Sequence, residues 1–419
     1  MLDIKFIREN QEIVKKAVKD KGLDLDLEKL LTVDERRRKL THEIDELRQQ
    51  RKDTSARRAV AEGKELKERA NKLEKELKEV SKVYAELLLA VPNLPALDVK
   101  VGRDGTENEV LRNWGQIPKF DFPPKDHLEL GEKLDIIDVE RAAKVSGTRF
   151  GYLKNSGVLL EFALVDLALK TLIKEGFTPV VPPVLIRKSI TDGLGYWQAG
   201  GHQDYYWVVD EEVPAEEEQK GLYLVGTAEH SVVPMHKDEV LSAKDLPKRY
   251  VAFSSSFRRE AGTYGKDTRG ILRVHQFDKV EMVSFVTAEQ DDQEHEYLLS
   301  LEEKLFQMLE LPYQVVKMCT GDLGFPVARK YDLEAWLPGQ NQYREVTSTS
   351  TTTDFQARRL NIRYQQGNEK RFAHILNGTG FAIGRTIIAI LENYQQADGS
   401  VKVPKALAAF VGQELLKPK

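Results

Sequence analysis

The sequence predicts an α+β protein in which a long antiparallel helical hairpin precedes a larger domain of strand pairs and helices. Between residues 27 and 90, apolar residues recur at alternating steps of three and four, which is typical of a coiled coil. Residues 91–124 are rich in proline, glycine and polar residues, as in a linker. Beyond this linker, strand-like pairs rich in β-branched and aromatic residues alternate with longer helix-like segments.

Composition and charge narrow the class of protein. A chain of 419 residues with 41% hydrophobic and 31% charged residues fits a soluble protein of two or three domains. The net charge of −4 gives no overall attraction to nucleic acid, so such binding needs a local basic patch. No apolar run is long enough for a membrane span and no signal peptide is evident, so we expect a cytoplasmic protein without membrane contact. The single cysteine argues against a disulfide framework, and no structural zinc is expected.

The helical hairpin carries basic residues near its expected turn. One apolar stripe covers residues 33–47 and a second covers residues 66–87, with Gly63 as the expected turn signal between them. A charge run on a long helix is usually a solvated face, and spacing alone favours that interpretation over a phosphate-binding arm. The basic residues of this run are Arg48, Arg51, Lys52, Arg57 and Arg58.

A charged hairpin in the second domain is the strongest indication of a ligand site. Two strand-like runs, 250–257 and 271–285, flank a loop with three glycines. A hairpin would bring Arg258 and Glu260 opposite Arg273. An arginine fork binds phosphate or carboxylate, and Phe277 offers a flat face to a base. The pattern could hold a nucleotide, although a hairpin with surface ion pairs is the usual alternative.

Three further segments place polar residues at the ends of predicted strands. Residues 222–230 end in Thr227 and Glu229, where a helix cap is the simpler interpretation. Residues 331–359 predict a strand pair that carries Glu345 and Ser348, and carboxylates near a nucleotide can hold Mg²⁺. Residues 376–393 predict a glycine-rich strand that enters a helix, with Arg385 at the helix start. The glycine spacing matches neither a dinucleotide fingerprint nor a P-loop.

These segments together resemble the class II aminoacyl-tRNA synthetases. Phe-Arg-x-Glu, a loop and Arg-x-x-x-Phe resemble motif 2 (about 250–285), and FRREAGTYGKDTRGILRVHQFDKVEM is similar to the seryl-tRNA synthetase version. The helix and proline-interrupted strand around Pro183 resemble motif 1 (about 165–185), and the glycine-rich strand resembles motif 3 (about 374–394). The resemblance implies a tRNA-binding helical domain (1–105) and a catalytic domain (106–419) with a mainly antiparallel sheet flanked by helices.

The resemblance also implies an activity and its partners. Enzymes of this family activate L-serine with ATP and Mg²⁺ to seryl-adenylate, then transfer serine to the 3′ end of tRNA(Ser). The coiled coil holds the long variable arm of the tRNA, and motif 1 forms a homodimer interface. The family usually charges tRNA(Sec) as well, which we carry over as an expectation.

Residue roles follow from the motifs position by position. The catalytic residues are expected to be Arg258, Arg385 and Glu345. The serine-binding residues are expected to be Thr227, Glu229, Arg258, Glu281 and Thr379. The ATP-binding residues are expected to be Arg258, Glu260, Arg273, Val274, Phe277, Glu345, Ser348 and Arg385, with Glu345 and Ser348 holding Mg²⁺. With the resemblance, the basic run Arg48, Arg51, Lys52, Arg57 and Arg58 is expected to contact tRNA.

Other functions remain open at this point. A class II paralogue that loads another carrier would not need the intact arm. A non-catalytic tRNA-binding homologue would not need Arg258, Glu281, Glu345 and Arg385 together. A structural coiled-coil protein would not need any of these motifs, and a threonine or proline enzyme is disfavoured by the arm.

Overall fold

The computed structural model describes residues 1–56, 60–196, 201–208, 221–261, 267 and 269–419. Contacts divide the chain into two compact units, Met1–Leu94 and Pro95–Lys419. These units are defined by contacts, and the functional division at residue 105 stays a prediction. Within the described part of the chain, no helix has both the length and the apolar character needed to cross a membrane.

The first unit is helical. Its helices are α1 Ile4–Glu9, α2 Gln11–Asp20, α3 Leu27–Ala56 and α4 Val60–Leu89. The apolar stripes lie on the last two, where Leu47, Leu66 and Ala70 form a buried cluster. The helical hairpin is therefore confirmed, but Gly63 was wrongly expected as its turn, since it lies inside α4. One glycine costs a helix only about 1 kcal/mol relative to alanine, which a long packed helix tolerates.

Cross-helix pairs supplement the apolar seam of the hairpin. The guanidinium carbon of Arg37 lies 4.3 Å from the centre of the Tyr84 ring. Arg36 on α3 and Glu76 on α4 form an ion pair at 2.5 Å. Exposed pairs of this kind contribute little each, so the buried leucine and isoleucine side chains provide most of the stability.

The second unit combines helices with a large sheet. Its helices are α5 His127–Lys133, α6 Val139–Ser146, α7 Ser156–Lys174, α8 Lys188–Leu194, α9 Glu229–Val232, α10 Asp291–Met308, α11 Phe355–Leu360, α12 Ile383–Tyr394 and α13 Lys405–Val411. Its strands are β1 Glu109–Trp114, β2 Ile137–Asp138, β3 Tyr152–Leu153, β4 Thr178–Val180, β5 Leu185–Arg187, β6 Trp207–Val208, β7 Leu222–Leu224, β8 Val240–Ser242, β9 Lys248–Phe257, β10 Gln276–Val286, β11 Tyr313–Lys317, β12 Arg329–Leu337, β13 Gln342–Thr351, β14 Arg363–Gln366, β15 Glu369–Phe372, β16 His374–Ala382, β17 Val401–Lys402 and β18 Leu415–Leu416.

The main sheet has eight strands among the described residues, in the order β1-β11-β12-β13-β16-β10-β9-β4. Every neighbouring pair is antiparallel except β4 with β9 at the edge. The expected α+β fold with a mainly antiparallel sheet is thus confirmed. The strand β4 contains Pro179, which has no N–H to donate to a neighbouring strand, and its position at the sheet edge agrees with this.

Residues 91–124 are more ordered than a linker. They contain β1, which pairs with β11 and forms the other edge of the main sheet. Five of the six residues of β1 are exposed, so its sequence shows no apolar face. An edge strand without a buried face lacks the alternation by which strands are recognised, and for that reason it was missed.

The sheet separates a hydrophobic core from a polar cavity. Val280 and Met282 of β10 are fully buried in a core that includes leucines and isoleucines of α7, α10 and α12. The intervening residues Lys279 and Glu281 line the cavity instead. Because successive side chains of a strand point to opposite faces, one strand serves both environments.

Candidate active site

A cavity of about 370 Å³ lies in the second unit. It is lined by residues of β10, β13 and β16, the start of α12 and the loop after β9. The structure brings together in its wall every residue that was expected to contact serine, ATP or metal. These residues are Thr227, Glu229, Arg258, Glu260, Arg273, Val274, Phe277, Glu281, Glu345, Ser348, Thr379 and Arg385.

The β9–β10 hairpin supplies one wall of the cavity. Arg258 donates from Nε to the carbonyl of Gly226 at 3.1 Å, and its guanidinium lies 5.3 Å from the centre of the Phe277 ring. Arg273 Nη1 and Glu260 Oε2 are 2.6 Å apart, as the hairpin register predicts. The guanidinium of Arg258 is therefore oriented by a carbonyl and a ring, with donors left over for an anion.

Motif 3 and the neighbouring strand form a second wall. Arg385, in the first turn of α12, donates from Nη1 to the carbonyl of Glu345 and lies 3.1 Å from Glu345 Oε2. Burial alone would raise the pKa of Glu345, but the positive charges of Arg385, Lys330 and Arg258 outweigh it and lower the pKa to about 2. Glu345 is a carboxylate at neutral pH, and it faces the cavity beside a guanidinium.

A buried polar contact in the cavity wall links β10 to β16. Glu281 lies opposite Thr379 in the sheet register, and Thr379 donates from Oγ1 to Glu281 Oε2 at 3.2 Å. Lys279 lies 2.5 Å from the same carboxylate, and both charged side chains are buried. Burial raises the pKa of Glu281, and Lys279 opposes the shift. The paired carboxyl and hydroxyl can together bond a small hydroxyl group.

Glu229 is held from two other segments of the chain. Tyr196 donates from its hydroxyl to Glu229 at 2.9 Å, and Gln356 donates from Nε2 at 3.0 Å. Burial raises the pKa of Glu229 to about 7, against the effect of these hydrogen bonds. The side chain is 3% exposed, so this carboxyl is oriented before any ligand arrives.

Several residues of the cavity were missed by sequence reasoning. Lys279 alternates with Glu281 on β10, and that period of two was a usable signal. Lys330 of β12 lines the cavity and lies 3.0 Å from Asp332. Tyr196 and Gln356 lie 33 and 127 residues from Glu229, and no local pattern connects them.

The expected tRNA-binding residues belong to the first unit and lie apart from this cavity in the chain. Arg48 pairs with Glu74 at 2.8 Å, so one of its donors is already engaged. Arg51 and Lys52, in the last turns of α3, are exposed. Arg57 and Arg58 lie outside the described residues.

Comparisons with known proteins agree with this geometry. A family model described as the tRNA synthetase class II core domain (G, H, P, S and T) matches residues 206–394. A second model, the seryl-tRNA synthetase N-terminal domain, matches residues 1–95. The chain is 47% identical over 431 residues to a serine–tRNA ligase of Acidothermus cellulolyticus, with 100% of both chains covered.

Solved structures give the same result. The chain superposes on the seryl-tRNA synthetase of Pyrococcus horikoshii, solved in complex with ATP, with a TM-score of 0.91, 40% identity and 100% of both chains covered. It also matches the cytoplasmic serine–tRNA ligase of Naegleria fowleri, solved with AMP, with a TM-score of 0.89, 30% identity and 100% and 99% coverage. With both family models in their proper order along the chain, this protein belongs to the seryl-tRNA synthetase family of class II aminoacyl-tRNA synthetases.

Proposed function

We propose that this chain activates L-serine with ATP to seryl-adenylate and transfers the serine to the 3′ end of tRNA(Ser). The observation that carries the proposal is the convergence of all twelve expected substrate and metal residues on one cavity. The same substrates are supported by relatives that are serine–tRNA ligases, and by the Pyrococcus horikoshii enzyme, which was solved with ATP. In the first step, the serine carboxylate attacks the α-phosphorus and pyrophosphate leaves.

Nucleotidyl transfer of this kind needs mainly positioning and neutralisation of charge. Arg258 would hold the α-phosphate and the serine carboxylate, since its remaining donors face the cavity. Arg385 would hold the γ-phosphate from the start of α12. Phe277 would stack on the adenine, with Glu260 near its amine.

Serine itself would lie between the two buried acids. Glu229 would accept hydrogen bonds from the ammonium group, with Thr227 beside it. Glu281 and Thr379 would bond the hydroxyl. A site with polar groups placed for a hydroxyl disfavours alanine, because those groups would then be left unpaired.

The chain's oxygen donors fit Mg²⁺ bound together with ATP. Among the described residues, no group of three or more histidine, cysteine, aspartate or glutamate side chains could hold a metal ion by itself. Mg²⁺ usually takes one or two protein carboxylates plus phosphate oxygens. Glu345, which is ionised, and Ser348 would hold it, and its charge would help to neutralise the polyphosphate.

We further propose a homodimer, with motif 1 at the interface. On α7, Leu159 and Phe162 are 41% and 48% exposed, and such apolar side chains favour an interface when they neighbour each other on a helix. Charging of tRNA(Sec) stays a prediction from the family, and a cytoplasmic location stays a prediction from the sequence.

ATP–pyrophosphate exchange tests the proposed function without tRNA. Each amino acid would be supplied in turn with ATP and labelled pyrophosphate. We expect exchange with serine, with alanine and threonine far behind. A folded, ATP-binding protein that shows no exchange with any amino acid would refute the proposed activity.

The pKa of Glu229 predicts a pH dependence. A carboxyl with a pKa of about 7 becomes ionised, and able to attract the serine ammonium, as the pH rises from 6 to 8. The exchange kcat/KM for serine should therefore rise through pH 7, since this quantity reports groups of the free enzyme. Glu229→Gln should abolish the rise and lower kcat/KM roughly 100-fold.

A matched variant separates this effect from general pH sensitivity. Tyr196→Phe removes a hydrogen bond that lowers the pKa of Glu229, so the inflection should move to higher pH while the rise persists. A flat wild-type profile, or a rise of the same size in Glu229→Gln, would contradict the assignment.

Substitutions at the proposed tRNA-binding residues of α3 should impair tRNA charging but not amino-acid activation. Replacing both Arg51 and Lys52 by alanine should raise the KM for tRNA(Ser) about tenfold and reduce the salt slope of tRNA binding by about 2. Amino-acid activation should be unchanged, because the cavity lies in the other unit. Aminoacylation and exchange assays measure the two effects separately.

The control is a double alanine variant at Lys39 and Lys75, which are exposed on the same helices farther from their connection. This variant removes the same charge and should leave the KM for tRNA within about threefold. Equal defects in both double variants would show a general charge effect and not a specific contact.

A further inference from the structure

The pairing of β13 with β16 stops at the cavity. Their register covers Thr349 with Gly378, Ser350 with Asn377, and Thr351 with Leu376. Beyond these pairs, β13 extends back through Ser348 to Glu345. On the other side, β16 continues through Thr379 to Ala382, and α12 with Arg385 follows. We call this point, bounded by Thr347 and Ser348 on β13 and by Gly378 and Thr379 on β16, the strand fork. Both of its branches carry residues that line the cavity.

A buried acid from α10 lies directly behind the fork. Glu302 has no exposed surface, and its Oε2 accepts a hydrogen bond from Thr347 Oγ1 at 2.8 Å. Its Oε1 lies 3.0 Å from the position that a Cβ atom would take on Gly378. One carboxyl group therefore bonds to one branch of the fork and lies beside the other, and a side chain at position 378 would force a shift of a few tenths of an ångström.

The environment of Glu302 favours a neutral carboxyl group. Burial raises its pKa well above the usual range, and the hydrogen bond from Thr347 opposes that shift only in part. The negative charges of Glu281 and Asp332 raise the pKa further. A neutral carboxyl group at this position adds no further negative charge to those of Glu281 and Asp332. Hydrogen bonding from the backbone N–H of Thr379 also opposes the rise in pKa, so the carboxyl group interacts with Thr347 on β13 and with Thr379 on β16.

The serine subsite is sensitive to the geometry of this fork. Thr379 follows Gly378 directly, and its hydroxyl reaches Glu281 at 3.2 Å, which is long for a bond between two oxygens. A shift of a few tenths of an ångström at Gly378 would change this distance by a similar amount. On the other branch, Glu302 accepts a hydrogen bond from Thr347, which itself lines the cavity.

We propose that Glu302 is a positioning residue for the serine subsite, which holds the two branches of the strand fork in place and so keeps Thr379 within reach of Glu281. Glu302 is not among the residues that line the cavity, so it would act on serine only through Thr379 and Glu281. This inference rests on the proposed function, because it assigns Thr379 and Glu281 to the serine hydroxyl. No pattern along the sequence marks Glu302, which stands in a charged helix among other acids.

The test compares three variants in serine-dependent exchange. Glu302→Ala should raise the KM for serine about tenfold, since Thr347 loses its acceptor and the fork loses its packing, while the KM for ATP changes less than about twofold. Glu302→Gln keeps the volume and an acceptor without a charge, and should restore the serine KM to within about threefold of wild type. Leu305→Ala, which opens a void on the same helix, should lower the melting temperature without changing the serine KM.

Each outcome decides the inference. A serine KM raised in Glu302→Ala and restored in Glu302→Gln supports it. Equal rises in both KM values, or equal defects in the two Glu302 variants, would overturn it. If Glu302→Ala does not fold, Thr347→Val removes the same hydrogen bond with little change of volume, and an unchanged serine KM would overturn the inference. Failure of the proposed function would appear differently, as a wild-type protein without serine-dependent exchange.

Discussion

Replacing Arg258 by alanine should lower kcat/KM for serine-dependent ATP–pyrophosphate exchange by about 10³-fold or more. In the proposed function, Arg258 would contact both reacting groups, the serine carboxylate and the α-phosphate. It is oriented by the Gly226 carbonyl and the Phe277 ring, which do not use up its donors. Its loss therefore removes charge stabilisation at the reacting atoms as well as binding.

Two further variants show what the guanidinium contributes. Arg258→Lys keeps the charge but loses the planar fork, so it should recover only part of the activity. Arg259→Ala removes the exposed neighbouring arginine, which does not line the cavity, and should retain activity within about threefold. An Arg258→Ala enzyme with activity within tenfold of wild type would exclude this role.

Changing Glu281 to glutamine should reduce the preference for serine over alanine by about 100-fold. The carboxylate accepts from Thr379 and pairs with Lys279, so its geometry for a substrate hydroxyl is fixed in advance. Glutamine keeps the shape but replaces one of the two acceptor oxygens with an NH₂ donor, and it loses the negative charge that pairs with Lys279. Activation of serine should fall steeply, while activation of alanine, which has no hydroxyl, should change little.

The ratio of kcat/KM values for the two amino acids is the measurement. Thr379→Val should lower the ratio in the same direction by a smaller amount, because one of two hydroxyl partners remains. Melting temperatures of both variants serve as controls, since removing the acid leaves Lys279 buried without its counter-charge. A ratio that stays constant while both activities fall would place hydroxyl recognition elsewhere.

The parts of this fold that could be predicted have strong local periodicity. The heptad stripes specified the long hairpin, and the alternation in residues 250–285 specified β9 and β10 and the approach of Arg273 to Glu260. The edge strand β1 could not be predicted, since its side chains are mostly exposed and its partner β11 lies far along the chain.

The residues of the candidate site also fall into a group that local sequence motifs predicted and a group that they did not. Residues within motifs were found because their neighbours in sequence are also their neighbours in space. Tyr196, Gln356 and Glu302 act on motif residues from distant segments, and their partners are set by tertiary packing alone. A polar residue in a helix such as α10 looks solvent-exposed until the packing of the sheet is known.

Four basic side chains of the cavity are paired with acids in the structure. These pairs are Arg385 with Glu345, Arg273 with Glu260, Lys279 with Glu281, and Lys330 with Asp332. A bare polyphosphate that captured Arg385 or Arg273 would leave a carboxylate without its counter-charge. In the proposed binding mode, ATP with Mg²⁺ would offer a cation to Glu345 and an adenine amine to Glu260, so the acids of these two pairs would keep a partner. The acids of the cavity would thus compete with free phosphate for its basic side chains. Inorganic phosphates, which are abundant in a cell, would bind weakly, whereas a ligand that carries both anionic and cationic or donor groups would bind well.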